Sequence, residues 1–202
     1  MKSIKWYKMK IAITGNIGSG KSTFTGFAEK AGFPVLRADD ISKSILETDE
    51  KVSAIVIKEF GDKSFKDGKP NKSFLAKEVF SDPVKLQKLE AILHPRVLKS
   101  IDKSVKEFLK TNNVVFIEAA LIYEVDLEDM FDYVVLISAD RNIRLKRKIE
   151  SGITEEDFCK RELNQIPEEE KKKRADFVFS NDIAKEDLKM KFNLLLLTLG
   201  IK

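Results

Sequence analysis

The chain has 202 residues, enough to bury a substantial core as one domain that carries insertions. Its 37 basic and 33 acidic residues are mixed along the sequence; the net charge of +4 suits anionic small molecules, but no basic stripe with interleaved aromatics argues for nucleic acid. No apolar run approaches the roughly 20 residues of a membrane span, the N-terminal MKSIKWYKMK lacks the apolar segment of a secretory signal, and the lone Cys159 forbids an intrachain disulfide, so a cytoplasmic protein without membrane contact is expected.

Residues 1–8 read as a short extension, with Trp6 and Tyr7 as packing residues. Met9 to Thr14 (MKIAIT) is short, apolar and β-branched, the pattern of a buried parallel strand. Ser22 to Ala31 then places Phe24, Phe27, Ala28 and Ala31 at helical spacing. Between them Gly15 to Ser22 reads GNIGSGKS and satisfies the phosphate-loop pattern G-x-x-x-x-G-K-[ST] in the strand-loop-helix setting that gives the motif meaning. Gly15, Gly18 and Gly20 let successive backbone N–H groups line one concavity at the positive end of a helix. Lys21 is placed to reach the β- and γ-phosphates of a nucleotide, and the Ser22 hydroxyl to meet Mg²⁺.

Gly32-Phe33-Pro34 ends the first helix, and Val35-Leu36 begins a second short strand. It runs into Ala38-Asp39-Asp40, where an aspartate can cap the next helix or serve chemistry at a strand's C-terminal end. The residues alone leave both readings open. From Ile41 to Phe60 the spacing predicts one helix ended by Gly61, and Phe65 to Pro70 is a turn-rich connection. Three further helices are expected, Ser73 to Phe80, Pro83 to Leu93 and Arg96 to Leu109, too many for a simple crossover and therefore an inserted helical subdomain.

Val114 to Glu118 (VVFIE) is the clearest buried strand, and Glu118 ends it where a P-loop protein carries a Mg²⁺-coordinating or water-orienting carboxylate. Ala119 to Glu124 follows as a loop or short helix, and Val134 to Ile137 is a fourth strand. Arg141 to Lys148 (RNIRLKRK) is either a solvated surface helix or a lid that closes guanidinium groups over a phosphate. Thr154-Glu155-Glu156 carries a helix N-cap pattern, so a helical hairpin from Arg141 to Gln165 fits such a lid. Pro167 starts a charged helix, Phe177 to Phe179 is a fifth strand, and the last helix begins near Ala184.

Taken in order, ITGNIGSGKST (Ile13 to Thr23), ADDISK (Ala38 to Lys43), Val79-Phe80-Ser81-Asp82-Pro83, Leu93-His94-Pro95, Leu121-Ile122-Tyr123-Glu124, Gln165, Ala175-Asp176 and Asn181 resemble the dephospho-CoA kinase family over nearly the whole chain. The resemblance implies a P-loop kinase, a three-layer α/β/α fold with a five-stranded parallel sheet, an inserted helical substrate subdomain and a helical lid. The corresponding divisions are a core of 9–38, 112–139 and 175–201, a substrate subdomain of about 39–111 and a lid of about 140–166. The resemblance implies transfer of the γ-phosphoryl of ATP to the 3′-hydroxyl of dephospho-CoA with Mg²⁺; a monomer is the expected state, with an oligomer left open.

By match to the family's motifs, Asp39 takes the proton of that hydroxyl, Lys21 and Arg144 serve the transferring phosphate, and Arg147 or Lys148 fills the place of a second lid arginine. Gly15, Gly18, Ser19, Gly20, Lys21, Ser22, Thr23 and Asn181 make up the nucleotide site, Asn181 lying near the adenine, with Ser22 as the Mg²⁺ contact. Lys43, His94 and Glu124 are assigned to the acceptor substrate, although a lone histidine is more often structural. The alternatives are another small-molecule P-loop kinase acting on a nucleoside or nucleotide, or a non-catalytic ATP-binding regulator.

Overall fold

The computed structural model describes residues 8–201, so the roles expected of Trp6 and Tyr7 lie outside the described residues. The fold is three-layered α/β/α with a helical lid, and the chain separates into two compact units, one of residues up to Leu36 together with Val105 onward, the other of Arg37–Ser104. In chain order the elements are β1 (Met9–Thr14), α1 (Lys21–Lys30), β2 (Val35–Arg37), α2 (Ala38–Thr48), α3 (Glu50–Phe60), β3 (Phe65–Lys66), β4 (Lys69–Pro70) and α4 (Lys72–Ser81). After them come α5 (Pro83–Thr111), β5 (Val114–Glu118), β6 (Tyr133–Ser138), α6 (Arg141–Glu150), α7 (Glu155–Leu163), α8 (Glu168–Arg174), β7 (Phe177–Ser180) and α9 (Lys185–Thr198).

The five long-sheet strands lie in the order β2-β5-β1-β6-β7. β1 pairs in parallel with β5, Ile13 opposite Glu118, and with β6, Thr14 opposite Leu136. This register brings the C-terminal ends of β1 and β5 level, so Gly15 and Glu118 leave the sheet at the same edge. Alternation along β1 explains how the sheet is covered on both faces. Ile11 and Ile13 enter a cluster with Phe24 and Phe27 of α1 and Leu188, Phe192 and Leu195 of α9. Phe192 meets Phe24 edge-on with ring centroids 5.4 Å apart. Ala12 points the other way and joins Ile122, Tyr123 and Val134 under Ile166 and Ala175. Asp132 and Asp176 fix the strand starts by accepting the N–H groups of Lys10 and Val134, each at 2.7 Å.

The Arg37–Ser104 unit has its own cluster of Val52, Val56, Leu75 and Leu93. Here the structure corrects two expectations and gives a third its detail. The helix expected from Ile41 to Phe60 is two, because Asp49 adopts an extended backbone and its carboxylate accepts the N–H groups of Lys51 and Val52, capping α3. The helices expected either side of His94-Pro95 are one, α5, with Pro95 inside it. Proline removes one intrahelical hydrogen bond, but Leu93, Val97, Ile101 and Val105 recur every fourth residue as a single buried stripe that carries the helix through. The Phe65–Pro70 connection is an antiparallel hairpin whose turn, Asp67-Gly68, has φ of 50° and 74°, the left-handed pair that a tight two-residue hairpin turn requires. Among the described residues no helix is long and apolar enough to cross a membrane.

Candidate active site

The loop after β1 is shaped by contacts that leave no room for side chains at its glycines. Gly20 precedes α1 with φ of 105°, and a Cβ there would stand 2.1 Å from Asn181 Nδ2; a Cβ on Gly15 would stand 2.2 Å from the Ile137 carbonyl oxygen. Because Gly20 offers no side chain to cap α1, the first-turn amides of that helix remain an anion site in the sense set by helix termini generally. Lys21 Nζ donates to the carbonyls of Gly15 at 2.8 Å and Asn16 at 3.3 Å, holding its ammonium across the mouth of the loop. Ser19 Oγ is buried without a hydrogen-bond partner, a hydroxyl donor of the kind that a cradle built for an oxygen-rich ligand leaves behind.

Glu118 closes the other side. Its Oε1 accepts the Ser22 hydroxyl at 2.6 Å and its Oε2 the Thr25 hydroxyl at 2.7 Å, and the residue is only 9% exposed. A serine hydroxyl beside a carboxylate is the hard oxygen donor set that Mg²⁺ takes together with phosphate and water, so the residues present fit that ion. Thr25 was not singled out in the sequence; its i+3 spacing from Ser22 on α1 is the signal that places both hydroxyls on one face.

The lid grips this loop from outside. Arg144 is 5% exposed, which rules out a solvated surface helix at that position. Its Nε donates to the Ala139 carbonyl, its Nη1 to the Ile17 carbonyl at 3.3 Å, and its Nη2 pairs with Glu162 at 2.7 Å. Glu162 holds Arg141 with its second oxygen at 2.8 Å, raising the pKa of that guanidinium, and both arginines lie against the ring of Phe158. Arg147 donates to the carbonyls of Gly18 and Asn181. Of the two lid positions left open by spacing, Arg147 is thus the one that reaches the loop. Gln165 Oε1 accepts the Ile17 N–H at 2.8 Å.

Asn181, expected near the adenine, spends its amide nitrogen on the Ser19 carbonyl at 2.7 Å and is buried under the loop. Glu124, expected at the acceptor substrate, pairs with Lys171 at 2.6 Å and accepts the Ile166 N–H. The loop residues, Glu118, Arg144, Arg147 and Asn181 are therefore brought together in one unit. Asp39, Lys43 and His94 belong to the other. Neither Asp39 nor Asp40 caps α2: Arg37 occupies the cap and both aspartates stand in the first turn, so the purely structural reading of the pair is corrected. Asp39 is exposed, just beyond the end of β2, while Asp40 pairs with Lys43 at 3.0 Å on the surface. His94 is half-buried within α5, where loss of water lowers its pKa below the ordinary 6.5.

The dephospho-CoA kinase family model matches residues 9–187. The chain belongs to the dephospho-CoA kinase family. It is 34% identical over 186 residues to the dephospho-CoA kinase of Chlorobium luteolum, covering 89% of this chain and 85% of that protein. A solved Thermus thermophilus structure superimposes with a TM-score of 0.81 at 34% identity, covering 96% of this chain and 98% of that one. The dephospho-CoA kinase of Campylobacter jejuni does so with 0.70 at 26% identity, covering 94% and 96%. As a family member the chain is an ATP-dependent kinase.

Proposed function

We propose that this chain transfers the γ-phosphoryl group of ATP to the ribose 3′-hydroxyl of dephospho-CoA, releasing CoA and ADP. The observation that carries the reading is the family match over residues 9–187, which takes in the loop, the lid and the Asp39 segment alike. The loop amides and Lys21 hold the triphosphate, and Asn181 supports the loop from beneath through Ser19. Arg144 acts on the phosphate site from the lid, where its guanidinium is already fixed by Ile17, Ala139 and Glu162. The Ser22 hydroxyl and the Glu118 carboxylate would hold Mg²⁺, which when bound neutralises phosphate charge. Asp39 accepts the proton of the acceptor hydroxyl as its oxygen attacks the γ-phosphorus in line and ADP departs; Lys43 and His94 are assigned to the acceptor side. Positioning and charge neutralisation supply most of the acceleration in such a transfer, the base a smaller share. The chain acts as a monomer in the cytoplasm, where ATP is abundant.

A coupled assay of ADP release tests this. With Mg²⁺-ATP, dephospho-CoA is expected to exceed every nucleoside and nucleoside monophosphate as acceptor, and a nucleoside that surpasses it would move the chain to a different specificity.

A further inference from the structure

Lys171 lies in α8 within the run EEEKKKR, yet none of its surface is exposed. Burying an ammonium is costly unless an anion accompanies it. The anion is Glu124, whose Oε1 stands 2.6 Å from Lys171 Nζ. The approach is an ion pair off the hydrogen-bond line, and Lys171 Nζ and Glu124 Oε2 have no hydrogen-bond partner. Glu124 Oε1 also accepts the backbone N–H of Ile166 at 3.0 Å. The residue before Ile166 is Gln165, and Gln165 Oε1 accepts the Ile17 N–H in the middle of the phosphate loop. Arg144 meanwhile donates to the carbonyl of the same Ile17. A lysine on α8, a glutamate on the loop after β5 and a glutamine at the foot of the lid thus form a continuous chain of contacts that ends on the phosphate loop.

We infer that Glu124 and Gln165 are positioning residues for phosphoryl transfer: the buried Glu124–Lys171 pair fixes the backbone at Ile166, and so delivers Gln165 to the Ile17 amide that shapes the loop. A surface helix gains nothing from a fully buried, incompletely bonded lysine unless the pair sets a geometry, and here the geometry it sets lies one residue from the loop's own support. The inference rests on the kinase reading for its effect on rate, but the contact it describes exists without substrate.

Two substitutions separate the links. Gln165→Met keeps the length of the side chain and removes the acceptor; Glu124→Gln keeps an acceptor for Ile166 and removes the charge. In the ligand-free full chain, amide exchange over residues 15–18 is expected to quicken in Gln165→Met, and kcat to fall about tenfold with KM for dephospho-CoA unchanged, a loss of the size that small misplacements bring. Adding Glu124→Gln to Gln165→Met is expected to lower kcat by less than a further factor of about two, because both act through one contact. Wild-type exchange and turnover in Gln165→Met overturns the inference, as does a multiplicative double variant or a raised KM for dephospho-CoA in Glu124→Gln. If Glu124→Gln fails to fold, Gln165→Met alone decides. The exchange measurement needs no acceptor, so a chain that does not phosphorylate dephospho-CoA would refute the proposed function while leaving this contact separately tested.

Discussion

Replacing Asp39 by asparagine removes a proton acceptor and little else, since the residue is exposed and does not cap its helix. Asp39→Asn is therefore expected to bind ATP as the unaltered chain does and to lose about 10²–10⁴ in turnover, the span of general base catalysis. Nucleotide titration beside the ADP-release assay checks both halves, and near-normal turnover would remove Asp39 from the role. Gly20→Ala probes the loop in a different way. Its φ of 105° costs a side-chain-bearing residue about 1–2 kcal/mol, and the new Cβ must push Asn181 off the Ser19 carbonyl, a buried group that then costs about 1–3 kcal/mol. Thermal unfolding should report a loss of that combined order, with ATP affinity falling alongside; an unchanged melting temperature would contradict the packing described. Residues of this kind were legible in the sequence because their logic is local: glycines, lysine and serine at fixed spacing beside a strand. Lys171 and its pairing with Glu124 were not, because a buried lysine inside EEEKKKR looks like any solvated charge and its partner lies far away in the chain.

At the scale of elements, the strands were the readable part and the joints between helices the unreadable part. VVFIE is apolar on both faces up to its terminal Glu118, and MKIAIT has a fully apolar face of Met9, Ile11 and Ile13, patterns that a covered parallel sheet satisfies. The break between α2 and α3 turns on a single carboxylate, that of Asp49, which accepts two backbone N–H groups, and the continuity of α5 on a buried stripe outweighing one proline; neither is decided by local propensity. α5 also carries the chain's only histidine, and burial gives that residue a pH signature. A folded-state pKa below 6.5 means that the unfolded chain takes up the proton first, so stability falls as pH drops below about 6.5 and keeps falling until the folded histidine also titrates. His94→Gln should flatten the melting temperature profile between pH 7.5 and pH 5 relative to the unaltered protein, as a comparison of the two proteins across that interval will read. Parallel curves would mean that His94 does not titrate differently on folding.

Across the molecule, the sheet order places β1 and β5 side by side, and this adjacency turns a sequence motif into a site by setting Ser22 against Glu118. The five-stranded core and the lid were legible from periodicity and from the family's ordered motifs. The grip of the lid on the loop was not, because Arg144, Arg147 and Gln165 reach Ile17 and Gly18 across most of the chain's length. With Mg²⁺-ATP and dephospho-CoA, phosphorus NMR of the product made by the purified chain reads the central claim directly. A new phosphomonoester on the ribose 3′-oxygen, formed in step with ADP and abolished by Lys21→Ala, is the expected result; ADP formed without that ester, or a phosphate carried elsewhere on the acceptor, would contradict it.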